Sequence, residues 1–217
     1  MFTQIPSLQM IVMSIPGVVI GFTFHEFAHA WTATWFGDDT PRLQGRVSLN
    51  PRVHLDPLGV ILLLIGGFGW ARPVNVNANR LRPRVLGDIV VSLAGVSMNF
   101  LLAILFSLLM GMSEYGLLFG YQNAVLTATL ERTAYFNLLL VGFNLIPIPP
   151  LDGFHVFKYL FPRGMEGVVA TLYRMGPIFL MVLFFTGIAS RFLDPVYAGL
   201  EAAVSWIVVP VLRLMIG

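Results

Sequence analysis

The sequence predicts an all-α membrane protein, a polytopic bundle of about five to six transmembrane helices with a re-entrant segment or short β-hairpin after the first helix. Of the 217 residues, 57% are hydrophobic and only 11% are charged, whereas a soluble domain carries about 25% charged residues. Several apolar segments approach or exceed the roughly 20 residues that a helix needs to cross the hydrocarbon. We therefore expect residues 1–217 to form one integral-membrane domain.

The predicted spans follow one another along the chain. The first runs from about Ile15 to Phe36, because proline is tolerated at a helix start and Pro16 lies there. The apolar residues before it either extend this span or lie at the membrane interface. The later elements are the spans Ile89–Met112, Ala124–Ile146, Gly176–Ile188 and roughly Val196–Ile216, with a short helix at Asp152–Leu160.

The segment between the first two spans is the most charged part of the chain. It holds seven of the twelve arginines, which are Arg42, Arg46, Arg52, Arg72, Arg80, Arg82 and Arg84. Inside it, PLGVILLLIGGFGW (57–70) is short for a span and rich in glycine, which favours a re-entrant segment. The alternating VNVNAN (74–79) that follows predicts a short strand or hairpin at the surface.

Charge also predicts the orientation of the chain. Loops rich in Arg and Lys face the cytoplasm, and the next basic residues, Lys158, Arg163 and Arg174, return to that side if the two intervening spans cross outward and back. The arginines cluster in one loop, so the charge favours membrane orientation over nucleic-acid binding. The sequence gives no indication of the oligomeric state.

Three ionisable side chains lie inside the first span, in the stretch FHEFAHAW (24–31). His25, Glu26 and His29 are the only ionisable residues between Ser7 and Phe36, and such groups are costly in lipid unless they are paired or coordinated. Residues four apart share a helix face, so both imidazoles can reach one ion while Glu26 handles a water. The alternative is a pair of neutral, hydrogen-bonded histidines with Glu26 protonated.

Two histidines are too few for a metal site, and the chain contains no cysteine. The stretch NLIPIPPLDG (144–153) offers Asp152 as the best-placed third ligand. Its prolines cannot continue a helix, and broken backbone at membrane depth is tolerated where it lines a cavity or is buried in protein. Two His and one carboxylate would leave Zn²⁺ an open position for water. The alternative role of Asp152 is to cap the following helix.

Together these motifs resemble those of the site-2 proteases, a family of intramembrane zinc metalloproteases. HEFAH and NLIPIPPLDG match the family's HExxH and NxxPxPxLDG motifs in the same order. GVSMN (95–99) resembles its GxxxN element, and SLNPRVHLDPLG (48–59) resembles a segment of its small bacterial members. The resemblance implies one Zn²⁺ per chain, held by His25, His29 and Asp152, with Glu26 as the general base.

The resemblance further implies a biological setting. The substrate would be a transmembrane-helix protein in a lipid bilayer, cut by regulated intramembrane proteolysis in a bacterial cell membrane, with the active site opening towards the cytoplasm. Because no segment is long enough for a PDZ or CBS domain, we expect a compact member of the family. One alternative is a membrane zinc-binding or transport protein, in which Glu26 would not be needed as a base. The intact motifs disfavour another, an inactive scaffold.

Three more polar residues are candidates for contacts with the substrate or with a tetrahedral oxyanion. Asn99 lies mid-span on the face of Gly95 and could donate to the oxyanion or make an interhelical hydrogen bond. Asn144 could do the same, or satisfy carbonyls that the prolines free. His54, beside Asp56, could be a fourth ligand or a substrate contact, although a structural loop histidine is favoured.

Overall fold

The computed structural model describes residues 7–162 and 164–216, so Arg163 lies outside the described residues. This part of the chain contains nine α-helices: α1 (Leu8–Trp35), α2 (Thr40–Leu43), α3 (Pro51–His54), α4 (Pro57–Gly66), α5 (Arg84–Glu114), α6 (Ala124–Asn144), α7 (Asp152–Phe157), α8 (Glu166–Phe185) and α9 (Ile188–Ile216). Four of them, α1, α5, α8 and α9, are long and apolar enough to cross a membrane. The chain is therefore a helical, multi-pass membrane protein.

The expected count of five to six spans is not confirmed, and α6 is the reason. It has 21 residues, but it carries Glu131, Arg132 and Asn137 and is not among the four helices that qualify. It is largely enclosed by other helices, since it packs most extensively against α5 and α1 and also against α9. Because neighbouring helices can satisfy polar side chains, an enclosed helix needs fewer apolar residues than one that faces lipid.

The first helix begins earlier than predicted. The Ser7 side chain accepts a hydrogen bond from the Met10 N–H at 3.3 Å, which caps a helix that starts at Leu8 and leaves Pro16 inside it. The apolar residues before Ile15 thus extend the span. Further along α1, a Cβ at Gly17 would lie 2.9 Å from Thr133 Cα, so α1 and α6 pack with their backbones in close approach.

The glycine-rich stretch after the first span forms α4, a helix of 10 residues. This is about half the length that a crossing needs. The side chains of Val60, Leu63 and Leu64 pack against the buried cluster that includes Val18 and Phe22 of α1. The short helix therefore lies against the same span that carries the histidines.

The predicted hairpin at residues 74–79 is not found, since none of the described residues forms a strand and only Leu55 and Ala71 make an isolated antiparallel bridge. Residues 72–77, named here the extended segment, have their backbone bonded to carboxylates instead. The Val74 N–H donates to Glu26 Oε2 at 2.9 Å, and the Asn77 N–H donates to Asp38 Oδ2 at 2.6 Å. Side chains of distant elements thus replace the second strand that the alternating pattern predicted.

Candidate metal centre

Two imidazoles from the C-terminal half of α1 meet a carboxylate from the first residue of α7. The Nε2 atoms of His25 and His29 lie 3.0 Å apart, and Asp152 Oδ2 lies 3.3 Å from each of them. Both histidines are buried, and the Asp152 side chain is 15% exposed. These three ligand atoms are close enough to bind one metal ion.

Hydrogen bonds from α5 orient both imidazole rings. His25 Nδ1 lies 2.6 Å from Asn99 Oδ1, and His29 Nδ1 lies 2.7 Å from the Val91 carbonyl oxygen. Both oxygens only accept hydrogen bonds, so each Nδ1 carries the ring hydrogen and each Nε2 carries a free lone pair. Such outer partners fix the tautomer of metal-binding histidines and raise their basicity.

The donor set fits a zinc ion. Asp152 Oδ2 is buried without a hydrogen-bond partner, and three unprotonated donors at this spacing repel one another unless a cation lies between them. In a tetrahedral site with Zn–N distances of ~2.0–2.1 Å, the ligand atoms are about 3.3 Å apart, close to the observed separations. Gly95 keeps this space open, because a Cβ there would lie 2.5 Å from His29 Nε2.

Glu26 directly follows His25 in the sequence and makes contacts of its own. Its side chain is 10% exposed, and Oε2 lies 3.9 Å from the nearest guanidinium nitrogen of Arg46. The same oxygen accepts the Val74 N–H from the extended segment. The extended segment therefore holds one carboxylate oxygen of Glu26 in place.

A polar cluster fixes α7, and with it Asp152, against α5. Asp88 is buried near the start of α5, and its Oδ2 lies 2.5 Å from Lys158 Nζ and accepts the Tyr159 hydroxyl at 2.6 Å. His155 Nδ1 lies 3.7 Å from the other oxygen. Burial and the bond to Asp88 raise the pKa of Tyr159 above its ordinary value. These contacts hold α7 and the residues that follow it against α5, the helix that also supplies the hydrogen-bond partners of both imidazoles.

Asn99 lies beside the three candidate ligands, and both polar atoms of its side-chain amide make hydrogen bonds. The side chain is fully buried; Oδ1 faces His25, and Nδ2 donates to the Gly21 carbonyl at 3.1 Å and to Asn137 Oδ1 at 2.8 Å. Both amide hydrogens are thus engaged. The geometry favours the interhelical alternative over donation to an oxyanion.

The other two candidates are not part of the three-residue ligand group. Asn144 Nδ2 donates to the Leu140 carbonyl at 3.0 Å, one turn back along α6. His54 is fully buried, and its Nε2 lies 2.6 Å from the Ser48 carbonyl oxygen. Burial lowers the pKa of His54, while the bond to Ser48 opposes that effect. These contacts favour local structural roles for both residues.

Three features of the site were not predicted from the sequence. Arg46 resembles the other arginines of its loop, and the Val74 N–H belongs to the backbone, so neither carries a sequence signal. Asp88 did carry one, since it is an acidic residue that begins an otherwise apolar run. An ionisable group at that position in a span is a reason to look for a partner.

A buried His–His–Asp donor set with a glutamate at HExxH spacing defines a zinc metalloprotease site. The family model described as Peptidase family M50 matches residues 13–129 and 120–183. The chain therefore belongs to peptidase family M50, and it is a zinc metallo-endopeptidase of the site-2 protease type.

Named relatives agree with this assignment. The chain is 42% identical over 180 residues to "Putative zinc metalloprotease YwhC" of Bacillus subtilis (strain 168), covering 82% of each protein. Rip2 of Mycobacterium tuberculosis (strain H37Rv), which bears the same description, is 32% identical over 178 residues, or 80% of this chain and 66% of the relative. MJ0611 of Methanocaldococcus jannaschii, also so described, is 31% identical over 164 residues, or 70% and 73%. No solved structure matches the chain.

Proposed function

We propose that this zinc metalloprotease hydrolyses peptide bonds in or near the transmembrane helices of membrane-protein substrates, as in regulated intramembrane proteolysis. The position of the site along α1 carries the proposal. At about 1.5 Å per residue, His25 lies about 16 Å from Phe36 at the end of the helix, well inside a hydrocarbon layer that is ~30 Å thick. A peptide bond that reaches this site has to enter the depth of the membrane.

In this proposal His25, His29 and Asp152 hold one Zn²⁺, and Glu26 is the general base. The bound ion supplies Lewis acidity to the attacking water and to the peptide carbonyl. Glu26 takes a proton from the water as the new C–O bond forms, and it passes that proton to the amide nitrogen as the C–N bond breaks. The Val74 N–H, bonded to Oε2, holds the carboxylate in one orientation during both transfers.

Water and substrate need a polar route to this depth. We infer that the route opens towards the cytoplasm, between the Arg-rich loop, α4 and the broken backbone at Pro147–Pro150. A substrate helix has to unwind locally before its amides can react. The extended segment and the two residues after it present backbone that is not paired to another strand, and an unwound substrate could add to it as a strand.

Zinc content and cleavage, measured together, test the proposed function. The wild type, Glu26→Gln and the control Glu201→Gln, which alters an exposed glutamate on α9, are purified in detergent and incubated with a panel of single-span substrates. We expect all three to bind about one zinc and only Glu26→Gln to lose cleavage. If all three bind zinc and none cleaves any substrate, the result would instead favour the alternative function of zinc binding or transport in the membrane.

Proline substitutions test the proposed strand addition. Pro in place of Asn75 or Val76 removes a backbone N–H and blocks pairing with an incoming strand. We expect cleavage to fall while zinc content stays unchanged. If cleavage by both variants equals that of the wild type, the substrate does not bind here as a strand.

A further inference from the structure

The guanidinium of Arg46 is held beside Glu26. Its side chain is only 13% exposed, and NH2 lies 3.9 Å from Glu26 Oε2. The same nitrogen donates to the carbonyl of Arg72, at the start of the extended segment. Nε is buried and has no hydrogen-bond partner. Arg46 therefore brings a largely enclosed positive charge, with an unused donor, next to the proposed base.

Burying this charge is costly, because the guanidinium loses its hydration and its Nε gains no hydrogen-bond partner in exchange. Burial lowers the pKa of Arg46, whereas the neighbouring Glu26 raises it, and a guanidinium remains protonated in proteins. The side chains of Arg52 and Arg80, in the same loop, are exposed. A chain that needed only positive charge for orientation could have left Arg46 exposed as well.

Peptide hydrolysis requires a hydrogen-bond donor for the oxygen that becomes negative, and the unused donor of Arg46 lies beside Glu26. When water adds to the peptide carbon, the carbonyl oxygen becomes negative, and donors aimed at that oxygen lower the barrier. Asn99 has both amide hydrogens engaged, and the Asn144 amide donates back to its own helix. Arg46, by contrast, is a described cation that makes an ion-pair contact with Glu26, beside the proposed base.

We propose that Arg46 is a catalytic residue that donates a hydrogen bond from its guanidinium to the carbonyl oxygen of the scissile peptide as that oxygen becomes negative. This inference rests on the proposed role of Glu26. As the water oxygen bonds to carbon, one water proton moves to Glu26 and the carbonyl π electrons move onto the oxygen that faces Arg46. When the carbonyl re-forms, the C–N bond breaks and the nitrogen takes the proton from Glu26. Arg46 keeps all of its protons throughout.

Two zinc-binding probes separate this role from a structural one. A short apolar peptide phosphinate places a charged tetrahedral oxygen where the carbonyl oxygen would lie. The matched peptide thiol binds zinc through sulfur and has no oxygen there. Affinity for each probe is measured on zinc-loaded wild type, Arg46→Gln, Arg46→Lys and the control Arg52→Gln, together with the zinc content of each.

We expect Arg46→Gln to weaken phosphinate binding by about 100-fold, the size of the effect of losing one oxyanion donor. Thiol affinity should change by less than about 3-fold, because that ligand makes no bond to the guanidinium. Arg46→Lys should give an intermediate loss for the phosphinate, since an ammonium keeps the charge but not the fork of donors. Arg52→Gln should match the wild type with both probes.

If Arg46→Gln and Arg46→Lys lose affinity for the phosphinate and the thiol to the same extent, the proposal is overturned. General damage to the site lowers both affinities alike, whereas loss of an oxyanion donor lowers only that for the phosphinate. An unchanged phosphinate affinity, or a wild type that binds the thiol but not the phosphinate, would overturn it too. If Arg46→Gln does not fold, Arg46→Lys alone decides by the ratio of its two affinities. Neither probe needs a transmembrane substrate, so a wild type that binds both but cleaves none of the panel refutes the proposed substrate class and leaves Arg46 in place.

Discussion

Gly95 faces both imidazoles of the metal centre, and the smallest possible side chain there has a large effect. A Cβ would lie 2.5 Å from His29 Nε2 and 2.7 Å from His25 Nδ1. Overpacking of this kind costs about 1–3 kcal/mol, so we expect Gly95→Ala to bind zinc about 10- to 100-fold more weakly in competition with a chelator. Gly199→Ala is the matched control, because a Cβ at Gly199 meets nothing within 4 Å. Equal zinc affinities would mean that the α1–α5 contact adjusts freely.

Asn99 provides a second test at the residue scale. Without its Oδ1, the His25 ring loses the partner that fixes its tautomer, and loss of such a partner weakens metal binding by about 10- to 100-fold. Asn99→Ala should show this loss in a zinc titration. Asn144→Ala should retain wild-type zinc affinity, since its amide bonds only within α6. A similar loss in both variants would contradict the orienting role of Asn99.

At the scale of elements, the Asp88 cluster holds α7, which carries the proposed ligand Asp152, against α5. Lys158→Met leaves Asp88 buried with one fewer cationic partner, a loss worth about 2 kcal/mol for a hydrogen bond to a charged group. We expect weaker zinc binding and a lower thermal midpoint, with Lys158→Arg restoring most of both. Arg174→Met removes an exposed positive charge from α8 and serves as the control. A normal zinc affinity in Lys158→Met would show that α7 is held by other contacts.

The elements differ in how far the sequence could predict them. The core of α5 was predictable because Ile89–Met112 is almost purely apolar, and the HExxH spacing placed two imidazoles on one face. The start of α8 was not, since Tyr173 and Arg174 interrupt its apolar pattern although the helix begins at Glu166. The hairpin prediction was wrong because alternation reports extended backbone, not what bonds to it. The carboxylates of Glu26 and Asp38 accept backbone N–H groups that a second strand would have bonded in a hairpin.

The same limit applies to the metal centre. Motifs predicted which residues approach one another, and the ligand distances agree with one ion. The contacts of Asn99, Arg46 and Asp88 depend on how three helices and a loop pack, and no local pattern contains that information. A residue such as Arg46 becomes distinct from its neighbours only when its burial is known.

For the molecule as a whole, the absence of cysteine allows its orientation to be measured directly. Single cysteines at Asn79, before α5, and at Tyr121, between α5 and α6, lie at exposed positions. With intact cells, we expect a membrane-impermeant maleimide to label Tyr121→Cys and to spare Asn79→Cys until the cells are opened, because Arg-rich loops stay in the cytoplasm. Labelling of both from outside would exclude the proposed orientation.

The metal centre joins the first span to a residue that follows five further helices. A growing chain that has been made as far as α6 contains both histidines and Glu26 but lacks Asp152. On the proposed ligand set, such a chain has no complete zinc site. The newly inserted first span therefore cannot attack neighbouring proteins in the insertion machinery, and proteolytic competence arises only after most of the polypeptide has entered the bilayer.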